Sequence, residues 1–326
     1  MTEQAAAGLV TRHVIGGDLG GTRFRVALAD DSGRFIQRKS CLTEADRGLA
    51  AVLDRMKALV GEVINESSAP VAAIAIAAPG PLDPWKGIIY RPPNLPGWDE
   101  VHLKEIFEDA FGVPTFVGND ANLAALAEWR FGAARGVDCL VYVTVSTGVG
   151  GGVVEKGRLI LGVGGGAAEV GHMTIEMNGP YCNCGNRGCL EALASGTAIA
   201  RRAIERLQTG SESTMLQLAG GIVESVTAEH VVEAARAGDK VAGEVMHNAG
   251  YALGVGMANL MHLYDPAIIV VGGGVTNAGE LLFAPMRQAI AERAMKAFSD
   301  RTNVVLAELG DDVGVYGAVA LALTSC

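Results

Sequence analysis

The sequence of 326 residues has few aromatic side chains, 5% of the total, and only six cysteines. It has no run of about 18 uncharged apolar residues, so we predict no transmembrane helix. Basic side chains are fewer than acidic ones, and the net charge of -10 disfavours nucleic acid or an anionic membrane as a partner. Because Met1 to Arg12 lacks the basic start and apolar stretch of a signal peptide, we expect a cytoplasmic protein.

Apolar residues and glycine, in contrast, are plentiful. Apolar residues make up 49% of the chain, enough for sizeable cores, and the length favours two domains. The 44 glycines occur in clusters, which is typical of backbone that closely approaches a ligand.

Half of the cysteines lie in one short loop. Cys182, Cys184 and Cys189 follow His172 within a segment rich in glycine and polar residues. Three thiolates and one imidazole form a complete tetrahedral set for Zn²⁺, and a complete set leaves no open position for catalysis. We therefore predict a structural zinc site. Ordinary unliganded cysteines are the main alternative, and a disulfide is disfavoured in a large cytosolic protein.

Two carboxylates flank this predicted metal set. Glu169 and Glu191 are not needed as zinc ligands, and a metal loop would fix both in place. Carboxylates accept hydrogen bonds from paired hydroxyls, so we predict that they contact a polyhydroxy ligand. The alternative is that both are solvated surface charges.

Two strand-turn-strand patterns contain similar glycine turns. The first turn is Asp18-Leu19-Gly20-Gly21-Thr22, and the second begins at Ser146-Thr147-Gly148. Backbone N–H groups of such turns bind phosphate, and Asp18 is a candidate ligand for Mg²⁺, directly or through water. The repeated pattern predicts two similar half-structures.

Regular spacing predicts most other elements. Residues 45–67 have a helical apolar face, and residues 71–78 form a fully apolar strand of the kind that is buried on both sides. Further helices are predicted from Asp99 to Phe111, from Ala278 to Ala297 and from Gly314 to Leu323. At the start of the helix that contains residues 123–131, Asn119 and Asp120 are either N-cap residues or groups that face a substrate hydroxyl.

Motifs along nearly the whole chain resemble the ROK family of sugar kinases, and in particular its bacterial glucokinases. The cysteine segment is the most specific of them. In chain order the motifs are Asp18 to Thr22, Pro79 to Pro81, Asn94 to Trp98, Asn119 to Asn122, Thr147 to Gly152, Glu169 to His172, Cys182 to Glu191, and Gly272 to Gly274. One departure is Ala168, where the family usually has glycine, and this difference bears on the local backbone geometry.

The resemblance implies an α/β fold of two domains around a cleft, which is the actin-like, ribonuclease-H-like sugar kinase fold. We expect an N-terminal domain of residues 1–118, with a C-terminal helix at 312–326 packed back on it. Residues 119–311 would form a larger domain that contains the zinc loop.

The resemblance also assigns roles to individual residues. Asp120 would be the general base for a sugar hydroxyl. The sugar would contact Gly80, Asn119, Asp120, Glu169, His172 and Glu191. ATP would be surrounded by Asp18, Gly20, Gly21, Thr22, Thr147, Gly148, Gly272, Gly273 and Gly274. Zinc would be bound by His172, Cys182, Cys184 and Cys189.

The activity implied is phosphorylation of a hexose by ATP with Mg²⁺, with glucose at O6 as the first candidate. Alternatives are N-acetylmannosamine, mannose or fructose as substrate, polyphosphate as donor, a non-catalytic sugar-binding regulator, or a zinc-structured binding module without nucleotide. A DNA-binding winged helix is not expected, since about a dozen residues precede the first strand. Apolar helices in the C-terminal half favour a homodimer or a dimer of dimers.

Overall fold

The computed structural model describes residues 12–325, so Met1 to Arg12, where no signal peptide is predicted, lies almost wholly outside the described residues. None of the helices in this part of the chain combines the length and apolar character that a bilayer-spanning segment needs. Contacts divide the chain into two units. The first comprises the described residues up to Ala127, residues 163–166 and the residues from Asp311 onward. The second comprises Glu128–Gly162 and Ala167–Gly310.

The secondary structure alternates between strands and helices. The strands are β1 (His13–Leu19), β2 (Arg23–Ala29), β3 (Phe35–Leu42), β4 (Val71–Ala78), β5 (Leu82–Asp83), β6 (Ile88–Ile89), β7 (Val101–His102), β8 (Thr115–Asn119), β9 (Cys139–Val145), β10 (Val149–Glu155), β11 (Arg158–Leu159), β12 (Ile268–Gly272) and β13 (Asn303–Leu306). The α-helices are α1 (Leu49–Asn65), α2 (Leu103–Phe111), α3 (Asp120–Arg130), α4 (Leu190–Ala194), α5 (Gly196–Gln208), α6 (Met215–Leu218), α7 (Ala228–Arg236), α8 (Lys240–Tyr264), α9 (Glu280–Arg293), α10 (Lys296–Ser299) and α11 (Val313–Ser325).

The first unit is built on a five-stranded sheet of order β3-β2-β1-β4-β8. Strands β1, β2 and β3 pair antiparallel, whereas β4 lies parallel to both β1 and β8. Residues 73–78 of β4 are fully buried, as the unbroken apolar pattern predicts. Helix α11 packs on β1 so closely that a Cβ at Gly16 would lie 2.6 Å from the Val319 side chain.

Helix α1 shows why the predicted helix between residues 45 and 67 forms. Val52, Met56, Leu59, Val60 and Val63 recur every three or four residues and are all buried. Burial of each such side chain contributes about 1.5–3 kcal/mol.

The second unit repeats the arrangement of the first. Its sheet has the order β11-β10-β9-β12-β13, again with three antiparallel strands followed by parallel pairing. The prediction of two similar half-structures from the two glycine turns is therefore confirmed. Helices α4, α5, α7, α8 and α9 bury a single large apolar core with this sheet.

Some predicted element boundaries are wrong. The helix predicted from Asp99 begins at Leu103, because residues 101–102 pair as β7 in a small sheet with β5 and β6 that was not predicted. The helix predicted over residues 278–297 is interrupted at Gly279, which adopts φ +62°, so that α9 starts at Glu280 and ends at Arg293. The division by contacts includes residues 119–127 in the first unit, where Leu123 of α3 packs on Gly118 and Gly317. The domain boundary expected at residue 118 stays a prediction.

A buried carboxylate that was not predicted stabilises the edge of the second unit. Glu128 of α3 is fully buried and accepts hydrogen bonds from the backbone N–H groups of Ala133 (2.8 Å), Glu308 (3.1 Å) and Leu309 (3.0 Å). These bonds compensate for its desolvation. They link the start of the second unit, at Glu128, to residues 308–309 near its end.

Candidate active site and metal centre

The first glycine turn of the chain joins β1 to β2. The Gly20 N–H donates to the carbonyl of Arg23 (2.9 Å), and the hydroxyl of Thr43 donates to the carbonyl of Gly20 (2.7 Å). At Gly21 a Cβ would lie 3.0 Å from Asn94, so the turn is packed closely on its neighbour. Because the Gly20 N–H is already used within the turn, Gly21 and Thr22 remain as the residues whose backbone N–H groups are candidates to contact phosphate.

Asp18 lies immediately before this turn, in the sixth of the seven positions of β1. Its carboxylate approaches the first turn of α11, where a Cβ at Gly314 would lie only 2.7 Å from it. Burial raises the pKa of Asp18 to about 6, the nearby Arg25 opposes this shift, and the charges of Asp120 and Asp312 add to it. A bound cation would favour the charged form of this carboxylate.

Asn119 and Asp120 lie where β8 ends and α3 begins. The Asn119 side-chain oxygen accepts from the N–H groups of Ala121 (3.0 Å) and Asn122 (3.2 Å), which is the hydrogen bonding of an N-cap. One oxygen of Asp120 accepts from the Ala121 N–H (2.8 Å), and the residue is exposed. The hydrogen bonding shows the N-cap possibility for this pair, with Asn119 as the main cap, and the contact of Asp120 with a substrate hydroxyl stays a prediction.

Gly80 of the predicted sugar set lies beside Asn119. A Cβ at Gly80 would be 3.2 Å from the Asn119 side-chain nitrogen, and the Gly80–Pro81 peptide bond is cis. The first unit thus brings Gly80, Asn119 and Asp120 together at the carboxyl ends of the neighbouring parallel strands β4 and β8, an edge at which open α/β sheets bind ligands.

In the second unit the turn after β9 meets the turn after β12. Gly273 adopts φ +90° and lies so near the carbonyl of Val145 that a Cβ would be 2.3 Å from that oxygen, which only glycine permits. Thr147 and Gly274 line one cavity of about 750 Å³. The other lining residues were not predicted, since no sequence motif marks them, and they include Thr197, Thr227, Arg236 and Asn277.

The predicted zinc ligands are close together. The donor atoms of His172, Cys182, Cys184 and Cys189 all lie within 4.8 Å of one another. Cys184 Sγ is 3.7 Å from Cys189 Sγ, and Cys182 Sγ is 3.6 Å from His172 Nδ1. Tetrahedral Zn²⁺ with ordinary bond lengths requires separations of about 3.8 Å between two sulfurs and about 3.6 Å between sulfur and nitrogen. The donor set therefore fits zinc in both chemistry and spacing.

No disulfide joins these thiols, since all three cysteines are free. Burial raises the pKa of Cys182 and raises that of Cys189 to about 12, whereas hydrogen bonding from the Asn186 backbone lowers the pKa of the exposed Cys184. Thiolate ligation at the two buried positions consequently depends on the positive charge of a metal ion.

The two flanking glutamates differ in their contacts. Glu169 is exposed at the start of a short 3₁₀ helix at residues 170–172. Glu191, in α4, accepts a hydrogen bond at Oε2 from the Val149 N–H (3.0 Å), and its Oε1 lies 3.7 Å from Cys182 Sγ. Ala168, which replaces the usual glycine, adopts φ +65° in the left-handed region, so this position does favour glycine.

The predicted residues thus form groups within each unit. Asp18, the first glycine turn, Gly80, Asn119 and Asp120 belong to the first unit. Thr147, Gly148, the glycines at 272–274, Glu169, Glu191 and the four metal-ligand candidates belong to the second. Arg25 was not predicted, although its pairing opposite Asp18 in the β1–β2 hairpin is a signal that the sequence contains.

Known proteins resemble this chain along nearly its whole length. A glucokinase from Thermotoga maritima is 39% identical over 308 residues, which cover 94% of this chain and 96% of that protein. The crystal structure of a ROK hexokinase from Thermus thermophilus matches with a TM-score of 0.83 at 34% identity, over 96% of this chain and 98% of the other. A ROK family glucokinase from Streptomyces griseus, solved in complex with glucose and AMPPNP, matches with a TM-score of 0.79 at 35% identity, over 96% and 99% of the two chains.

These likenesses confirm the predicted fold class, the two-domain α/β fold of actin-like sugar kinases. The family model described as "ROK family" matches residues 14–325, which include both sheets, both glycine turns and the cysteine loop. The chain therefore belongs to the ROK family.

Proposed function

We propose that this protein is an ATP-dependent sugar kinase that phosphorylates glucose at O6. The observation that carries this proposal is the match along 96% of the chain to a glucokinase structure that contains glucose and AMPPNP. The glucokinase from Thermotoga maritima, which is 39% identical, supports the same activity.

In this proposal Asp120 is the general base. Its exposed position at the start of α3 lets a sugar hydroxyl approach, and the positive end of the helix dipole stabilises the carboxylate until it accepts the proton. Asn119 caps the helix and, with Gly80 beside it, orients the sugar. Proton transfer of this kind contributes about 10²–10⁴-fold to the rate.

In the first unit, the turn at Gly21 and Thr22 would present backbone N–H groups to a phosphate. In the second unit, the turn at Thr147 and Gly148 would do the same. The cavity beside Thr147 and Gly274 has the size expected of a small-molecule site and would take the rest of the nucleotide. Mg²⁺, which Asp18 would bind directly or through water, would supply charge neutralisation on the transferred phosphate.

We propose that His172, Cys182, Cys184 and Cys189 bind a structural Zn²⁺. Bound zinc would supply rigidity to the loop that precedes α4, and this rigidity would position Glu169, His172 and Glu191 for contact with the sugar. The support for this proposal is the spacing of the four donor atoms.

A coupled ADP-release assay tests the activity. Purified protein with ATP and Mg²⁺ should turn over glucose with a higher kcat/KM than N-acetylmannosamine, mannose or fructose. Higher kcat/KM with another sugar would reassign the substrate. Turnover with polyphosphate in place of ATP would reassign the donor. Glucose binding without any turnover would identify a non-catalytic regulator instead.

We further propose that the protein is a homodimer, alone or as half of a dimer of dimers, that forms through the second unit. Large apolar side chains that are more than half exposed occur there at Met177, Tyr181, Ile222, Leu263, Met295 and Leu306. Sedimentation velocity at micromolar concentration should give a mass of at least two chains, and a single species of monomer mass would refute the proposal.

A further inference from the structure

Glu191 joins two regions of the second unit that are far apart in sequence. Its Oε2 accepts the N–H of Val149, the first residue of β10 after the second glycine turn, at 3.0 Å. Its Oε1 lies 3.7 Å from Cys182 Sγ of the metal-ligand set. One carboxylate therefore contacts the candidate phosphate-binding turn and the candidate metal centre at once.

The neighbouring turn residue leaves room for this carboxylate. A Cβ at Gly148 would lie 2.5 Å from Glu191 Oε2, a distance at which either the carboxylate or the turn has to move. Gly148 does not adopt a positive φ, so its backbone conformation does not by itself require glycine. With the carboxylate in its present position, bonded to the Val149 N–H, glycine is the residue that fits here.

Two other hydrogen bonds join the turn at residues 146–148 to the segment after α4. The Gly196 N–H donates to the carbonyl of Ser146 (2.7 Å), and the Thr197 hydroxyl donates to the carbonyl of Thr147 (2.8 Å). Both of these bonds hold the start of the turn, whereas the bond from Val149 to Glu191 holds its end. A charged acceptor gives the strongest of the three types of bond.

We propose that Glu191 is a positioning residue for nucleotide binding. From its place in α4, directly after the cysteine loop, its carboxylate holds the Thr147–Gly148 turn in position. The metal centre then acts on ATP affinity through Glu191, in addition to its effect on the sugar site. This inference rests on the proposed function, because it requires that the turn contacts the phosphates of ATP.

The first test measures the affinity of AMPPNP with Mg²⁺, without sugar, by calorimetry on the full-length zinc-loaded protein. Glu191→Ala should weaken binding about tenfold, the effect of losing one charge-assisted hydrogen bond that orders the turn. Glu191→Gln should weaken it less, about threefold, because the amide oxygen still accepts from the Val149 N–H. Glu176→Ala, which removes an exposed carboxylate from the same loop, is the matched control and should bind like the wild type.

The second test separates positioning from a local defect of the turn. Gly148→Ala should displace the Glu191 carboxylate, weaken AMPPNP binding and also speed the release of zinc to a chelator. In a Glu191→Ala background the same substitution should have little further effect on either quantity, since the clash is gone. Gly243→Ala, at a helical glycine with open space around it, is the control substitution.

The outcomes distinguish the two proposals. If wild-type protein binds AMPPNP but Glu191→Ala binds it equally well, the positioning role is refuted and the kinase activity stands. If the wild type binds no AMPPNP, both proposals are refuted. If circular dichroism shows that Glu191→Ala does not fold, Glu191→Gln and Gly148→Ala provide the test. Unchanged AMPPNP affinity of Glu191→Gln would contradict the inference. Unchanged zinc release from Gly148→Ala would also contradict it.

Discussion

The two five-stranded sheets have corresponding strand orders, but the carboxylates beside their glycine turns come from different elements. In the first unit the sixth residue of β1 is Asp18, a partly buried carboxylate beside the turn. In the second unit the sixth residue of β9 is Thr144, and the carboxylate at the turn comes instead from Glu191 of α4. A repeated backbone arrangement therefore need not carry a repeated function, because the charged groups that serve each turn have different origins.

The units also differ in what stabilises them. The first unit packs an almost entirely apolar helix, α11, directly on its central strands. The second adds a loop of free cysteines with the spacing of a metal site. Removal of the Asp120 carboxylate from the first unit should therefore act mainly on chemistry, and removal of a metal ligand from the second mainly on stability.

The largest expected effect tests the chemical role of the first unit. Asp120→Ala should lower kcat about 10²–10⁴-fold with little change in the Kd for glucose, because it removes the proton acceptor and leaves Asn119 and Gly80 in place. Steady-state kinetics and a glucose titration measure the two quantities. Asp109→Ala, an exposed acid on α2, is the control. Turnover like that of the wild type would remove Asp120 from the role of base.

The next effect tests the stabilising role of the second unit. Cys184→Ser should abolish stoichiometric zinc and lower the free energy of unfolding by several kcal/mol, on the order of 3 or more, because metal binding is coupled to folding. Metal analysis and thermal unfolding measure these changes. Cys41→Ser, a free cysteine of the first unit, should retain zinc. A Cys184→Ser protein with full zinc content would contradict the ligand assignment.

Asp18, beside the turn of the first unit, gives a pH-dependent effect on stability. Burial raises its pKa from 3.8 to about 6, so the folded protein binds more protons than the unfolded chain between these values, and this group destabilises the fold increasingly as pH rises from about 4 to 6. Asp18→Asn should therefore stabilise the protein at pH 7 by about 1–3 kcal/mol, given the 22% exposure of the side chain.

The stabilisation by Asp18→Asn should disappear below pH 4, where the wild-type carboxyl is protonated in both the folded and the unfolded protein. The variant should also lose kinase activity. Thermal unfolding between pH 4 and 8 provides the measurement. Equal stabilisation at every pH would show that burial does not raise the pKa of Asp18.

The smallest effect concerns Ala168 in the second unit. Since this residue adopts φ +65°, Ala168→Gly should relieve left-handed strain of about 1–2 kcal/mol, offset in part by the greater entropy of glycine in the unfolded chain. The expected net gain is about 0.5–1 kcal/mol in denaturant unfolding, without loss of zinc. A decrease in stability would indicate that the methyl group of this buried residue packs productively.

Local patterns sufficed for much of the fold. The apolar spacing of α1, the continuous apolar run of β4 and the two glycine turns each depend on neighbours within a few residues, and each prediction of these elements is confirmed. The predicted start of α2 was wrong because residues 101–102 pair with β6, and the helical spacing of the sequence gives no sign of this pairing.

The same distinction applies to the candidate site. By itself the sequence determined which side chains are available: three thiols and an imidazole in one segment, glycines after strands, and an acid at the start of α3. Only the tertiary structure decided that the Glu191 carboxylate accepts a hydrogen bond from the backbone N–H of Val149, 42 residues away. The same holds for the Glu128 carboxylate and the backbone N–H of Glu308, 180 residues away. The tertiary structure also decided that the Asp18 carboxylate is partly buried beside α11. Such contacts depend on how sheets and helices pack, and packing brings together residues whose separation along the chain carries no periodic signal.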